Sequence, residues 1–160
     1  MKQHLSLIAA VGENGAIGRN NGLIWRFRKD MMRFRSLTTS HAVIMGKNTM
    51  QSLPHPLPNR VNIVLANLNV KIEGFVIAHS IEEALDLAGH DNEIFFIGGA
   101  NVYAQAIPIV ERMYLTEVRH SPEDADTFFP KFDRNGWAEA SREPEDEGGY
   151  RFDFVVYDRK

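Results

Sequence analysis

The chain has 160 residues, 44% of them apolar and 24% charged, a length and balance that suit one domain over residues 1–160 with a core that needs no staples. A formal net charge of −3 gives no general case for nucleic-acid or membrane partners, and the lack of cysteine excludes disulfides and thiolate metal sites. The charge is uneven, however, with cations crowded into residues 26–35 and acids into 139–147, so a local field for an anionic ligand is possible.

The first apolar run, LSLIAAV (5–11), follows a lysine in the manner of a secretory signal. It is short for one and leads into a glycine turn rather than a cleavage-like site, so the expected location is cytoplasmic. Next comes GENGAIGRNNGLIW (12–25), with four glycines and three asparagines around Ile17, Leu23, Ile24 and Trp25. Such a segment suits a lid that closes over a ligand, or an ordinary long surface loop.

The spacing predicts a helix over 28–38. At ~100° per residue, Phe27, Asp30, Met31, Phe34 and Leu37 share one face, while Arg28, Lys29, Arg33 and Arg35 take the flanks and back. Asp30 therefore points inward, where lost hydration raises its pKa unless a cation or donor reaches it. Two readings stay open: an acid that steadies the helix dipole or pairs with Arg26 or Arg33, and a functional acid.

Further apolar runs follow at AVIMG (42–46), VNIVLA (61–66), FVIA (75–78), EIFFIGG (93–99) and MYLTEV (113–118), separated by helical stretches at 47–53, 81–89 and 100–107. Runs that do not alternate, divided by helices, argue for a mostly parallel sheet covered on both faces, with ligands at the carboxyl ends of its strands. The tail segments GWAEASRE and YRFDFVVYD do alternate, around the link PEDEGG, and read as an antiparallel hairpin.

Two strand ends draw attention. Gly46 leads into a helix that starts with Lys47, Asn48 and Thr49, and Gly98 with Gly99 precedes another that starts with Ala100; either is a candidate phosphate contact or simply a turn. Neither matches the G-x-G-x-x-G fingerprint. The proline-stiffened loop LPHPLPNR (53–60) ends in Arg60, placed either to clamp a carboxylate or to sit in solvent. The histidines at 4, 41, 55, 79, 90 and 120 lack metal-ligand spacing, so no metal is expected, and no serine sits in a nucleophile elbow.

In order, these pieces resemble dihydrofolate reductase over nearly the whole chain: SLIAAV, the IG…N.G.IW loop, an acid five residues after the tryptophan, VIMGKNT, PLPNR.NIVL, IGGANVY, YLTEV and DTFFP. The resemblance implies a single-domain α/β fold with a central eight-stranded, mostly parallel sheet, an antiparallel C-terminal edge strand and four flanking helices. It also implies a monomer that reduces 7,8-dihydrofolate with NADPH and binds antifolate inhibitors. Asp30 would hold the pterin edge, aided by Thr116, with the proton for N5 coming from water admitted near Leu23 and Trp25. Ile8, Met31, Phe34 and Leu57 would line the substrate pocket, and Arg60 would clamp the glutamate tail. Ala10, Ile17, Asn21 and Gly22 would border the nicotinamide, with Tyr103 close by. Gly46, Asn48 and Thr49, with Gly98, Gly99, Ala100, Asn101 and Val102, would contact the cofactor's phosphates, across a cis Gly98-Gly99 peptide. Asp126 corresponds to the acid that hydrogen-bonds the lid.

The chain departs from the family pattern in several places. Ile24 and Arg28 stand where prolines are usual, which leaves the lid and the helix start less restrained. Arg33 replaces an aromatic or apolar residue; with Ile24 it is expected to weaken diaminopyrimidine antifolates such as trimethoprim more than substrate. At the 2′-phosphate pocket stand Lys47, Ala66, Asn67 and His79, which favour NADPH over NADH by a margin tied to His79 protonation. A related reductase of the riboflavin pathway is disfavoured by Asp30, Trp25 and Arg60, and a sequestering protein by the intact acid and double glycine.

Overall fold

The structure, a computed structural model, describes residues 3–160. Met1 and Lys2, at the start of the signal-like stretch, lie outside the described residues. In chain order the elements are β1 (His4–Gly12), β2 (Ala16–Gly18), α1 (Arg28–Thr38), β3 (Ala42–Gly46), α2 (Lys47–Ser52), β4 (Val61–Leu65), β5 (Val76–Ala78), α3 (Ile81–Ala88), β6 (Glu93–Gly98), α4 (Ala100–Ala106), β7 (Arg112–Val118), β8 (Thr127–Phe128), β9 (Trp137–Glu147) and β10 (Tyr150–Arg159).

Eight of the strands form one sheet in the order β5-β4-β3-β6-β1-β7-β10-β9. All pairs from β5 to β7 are parallel, and β10 runs antiparallel between β7 and β9. The antiparallel C-terminal strand thus lies one place in from the edge, and β9 closes the sheet.

Alternation along the buried strands divides the core into two layers. Leu7, Ile44, Ile63, Phe96, Met113 and Leu115 pack with Ala84 and Ala88 of α3 and Val102 and Ala106 of α4. Their neighbours Ile8, Val43, Met45, Val64, Phe95 and Tyr114 face the other way, against Phe34 and Leu37 of α1 and Met50 of α2. Strand β1 therefore sends odd positions to one helical layer and even positions to the layer that carries Asp30.

The acids of PEDEGG do not form a link: β9 continues through Glu147, and only Gly148 and Gly149 turn the chain, at φ 60° and 84°. A two-residue hairpin turn of type I′ has positive φ at both central positions, which the glycine pair supplies here without strain. The short β2 and β8, absent from the sequence reading, pair antiparallel and fasten the lid segment to residues 127–128.

Candidate active site

Helix α1 has a buried residue before it, Phe27, whose ring stacks on Phe152 at 4.4 Å between centroids. That contact sets the rotation of the helix and turns Asp30 toward β7. There Thr116 Oγ1 donates to Asp30 Oδ1 at 2.5 Å. Thr116 is 1% exposed and registers with Ala10 on β1 and Phe154 on β10, so its hydroxyl is fixed by three strands. Burial raises the pKa of Asp30, Thr116 and Arg33 oppose the rise, and Glu147 adds to it. The inward acid read from helical spacing is thus a desolvated carboxyl with one strong donor.

Arg33, one turn on, lies between the helix and the sheet and not on the flank or back that helical spacing assigns it, because its long side chain folds over the aromatic rings of β7 and β10. Its guanidinium sits over the Phe154 ring at 4.6 Å and the Tyr114 ring at 5.6 Å, Nη1 has no hydrogen-bond partner, and burial lowers its pKa. Ile8, Phe34 and Leu57 share one apolar cluster, while Met31 is 50% exposed on the same side of α1. Arg60 is pre-oriented: Nε donates to Pro58 O at 2.8 Å and Nη1 to Thr38 Oγ1 at 3.1 Å. Burial and the positive charge of Arg35 both lower its pKa, a combination that favours an incoming carboxylate.

The lid segment is held at both ends. Asn20 N–H donates to Asp126 Oδ2 at 2.8 Å, Arg19 meets Asp124 at 2.7 Å, and Asn20 and Asn21 take positive φ in a turn closed by Arg19 and Gly22. The Asn20 amide holds the Asp126 carboxyl below its usual range. Ile17 packs against the α3–α4 layer, Leu23 is 55% exposed, and Trp25 is buried beside Phe27 and Ala10. Trp25 Nε1 donates to His120 Nδ1 at 3.2 Å; an indole only donates, so that nitrogen carries a lone pair.

A second cleft opens across the ends of β3, β4 and β6. Its cavity, about 430 Å³, is lined by Gly46, Lys47, Asn48, Ala66, Asn67, His79, Gly99, Ala100, Asn101 and Val102, which the sequence reading had assembled from four separate stretches. Leu65, Ser80 and Gln105 complete the lining, and nothing in the sequence singles them out. A Cβ at Gly46 would lie 3.3 Å from Val102 Cγ2, so glycine lets the two walls meet without a shift of that side chain. His79 shares Nδ1 with Glu83 at 3.2 Å and Nε2 with Leu68 O at 2.8 Å, and these acceptors raise its pKa. Thr49 lies just outside, with Oγ1 3.6 Å from where a Cβ on Gly99 would be. The Gly98-Gly99 peptide is cis. Tyr103 turns away from this cavity: its hydroxyl lies between Ile8 O at 2.8 Å and Ile97 O at 2.9 Å, and burial, then the charge of Asp30, raises its pKa.

A cavity of about 720 Å³ on the face of β7 opposite Thr116 contains none of these residues. Among its charged residues, Arg142 is bonded to Asp153 at 2.6 Å and to Glu117 at 3.0 Å. Among the described residues no helix is long and apolar enough to cross a membrane.

An open, mostly parallel α/β sheet with a half-buried acid and a glycine-walled cleft at its carboxyl ends has the build of a ligand-binding α/β enzyme. Within that class, a family model described as dihydrofolate reductase matches residues 4–159. A dihydrofolate reductase of Bacillus subtilis is 34% identical over 98% of this chain and 95% of its own length. One from Neisseria meningitidis serogroup B is 40% identical over 96% of each chain. A solved dihydrofolate reductase from Enterococcus faecalis, complexed with NADP(H) and RAB-propyl, superposes with a TM-score of 0.90 at 30% identity, covering 98% of this chain and 96% of that one. The chain belongs to the dihydrofolate reductase family.

Proposed function

We propose that this chain is a single catalytic domain that reduces 7,8-dihydrofolate to tetrahydrofolate with NADPH, as a cytoplasmic monomer. The observation that carries the reading is the Asp30–Thr116 pair, a half-buried acid bonded to a strand-fixed hydroxyl, in a chain that also has a glycine-walled cleft at the carboxyl ends of β3, β4 and β6. In this reading the Asp30 carboxylate accepts from the 2-amino and N3 edge of the pterin, and Thr116 holds it in the plane needed for both bonds.

The second cleft suits NADPH on the residues present: Gly46 permits close wall contact, and Lys47 with a His79 whose proton affinity is raised supplies positive charge for the 2′-phosphate. Asn48, Thr49 and Gly99 to Val102 would hold the pyrophosphate, with Ala66 and Asn67 beside the adenosine. When bound, the reduced nicotinamide supplies a hydride to C6 of the dihydropterin. Ala10, Ile17, Asn21 and Gly22 would border that ring, while Leu23 and Trp25 control how water reaches N5. Tyr103 ties the ends of β1 and β6 beneath the site. Arg60, with Arg35 adding field, would clamp the glutamate tail, and Ile8, Met31, Phe34 and Leu57 would line the pterin and benzoyl pocket. Arg33 and Ile24 are proposed to lower antifolate affinity more than substrate affinity, measured as inhibitor and substrate constants for Arg33→Leu against wild type.

The test is the loss of reduced-nicotinamide absorbance with dihydrofolate across acid to alkaline pH, for wild type and Asp30→Asn. Turnover by the wild type, with variant activity confined to acid pH where substrate arrives protonated, is the expected result. Binding of dihydrofolate without NADPH oxidation would leave a sequestering protein instead.

A further inference from the structure

We infer that Glu147, at the tip of the β9–β10 hairpin, is a positioning residue for Asp30: by taking the first-turn N–H groups of α1 it fixes where that helix presents the acid. The inference rests on the reading of Asp30 as the pterin acid.

A helix start leaves up to four N–H groups without intrahelical partners. At α1 the residue before the first turn is Phe27, and no side chain there caps the helix. The missing acceptor comes from the hairpin: Arg28 N–H donates to Glu147 Oε2 at 2.5 Å and Lys29 N–H to Glu147 Oε1 at 3.0 Å. Two oxygens on two consecutive donors fix both the position and the orientation of the turn. Asp30 is the next residue, so any displacement of this turn is passed directly to its carboxyl.

The hairpin tip is itself held against the helix. Lys29 Nζ donates to Glu145 Oε2 at 2.9 Å and to Asp146 O at 3.1 Å. The Tyr150 ring, across the turn from Glu147, meets Phe27 at 5.6 Å and His120 at 5.1 Å. Charge acts in the same place. The Arg28 and Lys29 amides lower the pKa of Glu147, which stays ionised, and its negative charge raises that of Asp30 against the pull of Thr116 and Arg33. Glu147 therefore acts on Asp30 twice, through the backbone and through the field, without itself reaching the candidate site.

The test compares Asp30→Asn, Glu147→Gln and Glu147→Ala in the full chain. Three quantities are read for each: dihydrofolate KM and kcat with saturating NADPH as a function of pH, NADPH Kd, and, where Asp30 is present, its carboxyl titration by NMR. Glu147→Ala should raise the dihydrofolate KM about fivefold, with NADPH Kd unchanged and the Asp30 titration moved to lower pH. Glu147→Gln keeps an acceptor but loses the charge, so it should recover part of the KM while the Asp30 titration stays displaced. If Asp30→Asn loses activity while both Glu147 variants overlay wild type in KM and in the Asp30 titration, the inference is overturned and the reading of the site stands. If Asp30→Asn keeps the wild-type KM at every pH, the reading of Asp30 falls and the inference falls with it.

Discussion

Helix α3 begins at Ser80, whose hydroxyl accepts from Glu83 N–H at 3.0 Å while the Glu83 carboxylate accepts from His79 N–H at 2.9 Å. Helix α1 begins at Phe27, which offers no cap, and takes its acceptor from Glu147, 119 residues beyond Arg28. The first is a reciprocal capping arrangement written into five consecutive residues; the second exists only when the sheet is complete. The scaffold helix is capped by its own sequence, whereas the helix that carries the candidate acid is placed by the far end of the chain.

The largest effect expected from breaking this contrast is on the α1 side. Asp30→Asn should lower kcat/KM at neutral pH by about 10²- to 10³-fold, read in steady-state assays. The same change should raise stability. Asp30 has a folded-state pKa above the ordinary 3.8, so as pH rises the unfolded chain ionises first and the wild type loses stability through that window. Thermal melts should show the variant above wild type at neutral pH and the two converging below the ordinary aspartate value.

On the α3 side, Ser80→Ala should cost about 1 kcal/mol in denaturant unfolding and leave the dihydrofolate KM unchanged, since the cap serves the scaffold. A smaller effect separates the lid from both helices. Trp25 Nε1 donates to His120 Nδ1, so removing that ring leaves the indole without its acceptor. In a Trp137→Phe background, His120→Phe should shift the emission of Trp25, and an unchanged spectrum would show that the contact does not restrain the indole. The smallest expected effect is from Lys29→Ala, which loses an exposed ion pair with Glu145 but keeps the backbone donor to Glu147. Its dihydrofolate KM should match wild type; a rise as large as that of Glu147→Ala would assign the effect to the ion pair.

The elements legible in the sequence are those that depend on near neighbours. The apolar runs locate every strand of the parallel part, the spacing gives α1 its observed bounds at 28–38, and helical geometry alone turns Asp30 inward. Two walls of the phosphate-type cavity were legible as the glycine-containing stretches at 46–49 and 98–102, because parallel strands deliver their carboxyl ends to one edge, whereas Ala66, Asn67 and His79 came from family resemblance. Contacts between distant residues were not legible. The basic run at 26–35 and the acidic run at 139–147 both stood out, yet nothing local says that Lys29 meets Glu145, or that Glu147 supplies the restraint expected to be missing at Arg28. Likewise, Thr116 as the donor to Asp30 came from family resemblance, and His120 as the partner of Trp25 had no signal in residues 95 positions apart.

Hairpin tips are ordinarily where a chain gains and loses residues at least cost. The tip at Gly148 and Gly149 is different, because Glu147 sits immediately before it and must face α1. One inserted residue there changes the register and turns the carboxylate to the other face of the ribbon. Length variation at this tip is therefore tied to residue 27: only a chain with Ser, Thr, Asp or Asn at that position has a local cap and is free to lengthen the hairpin. Such a chain gives up the stack of Phe27 on Phe152 in return, so insertions at the tip and substitutions at residue 27 should travel together through descent.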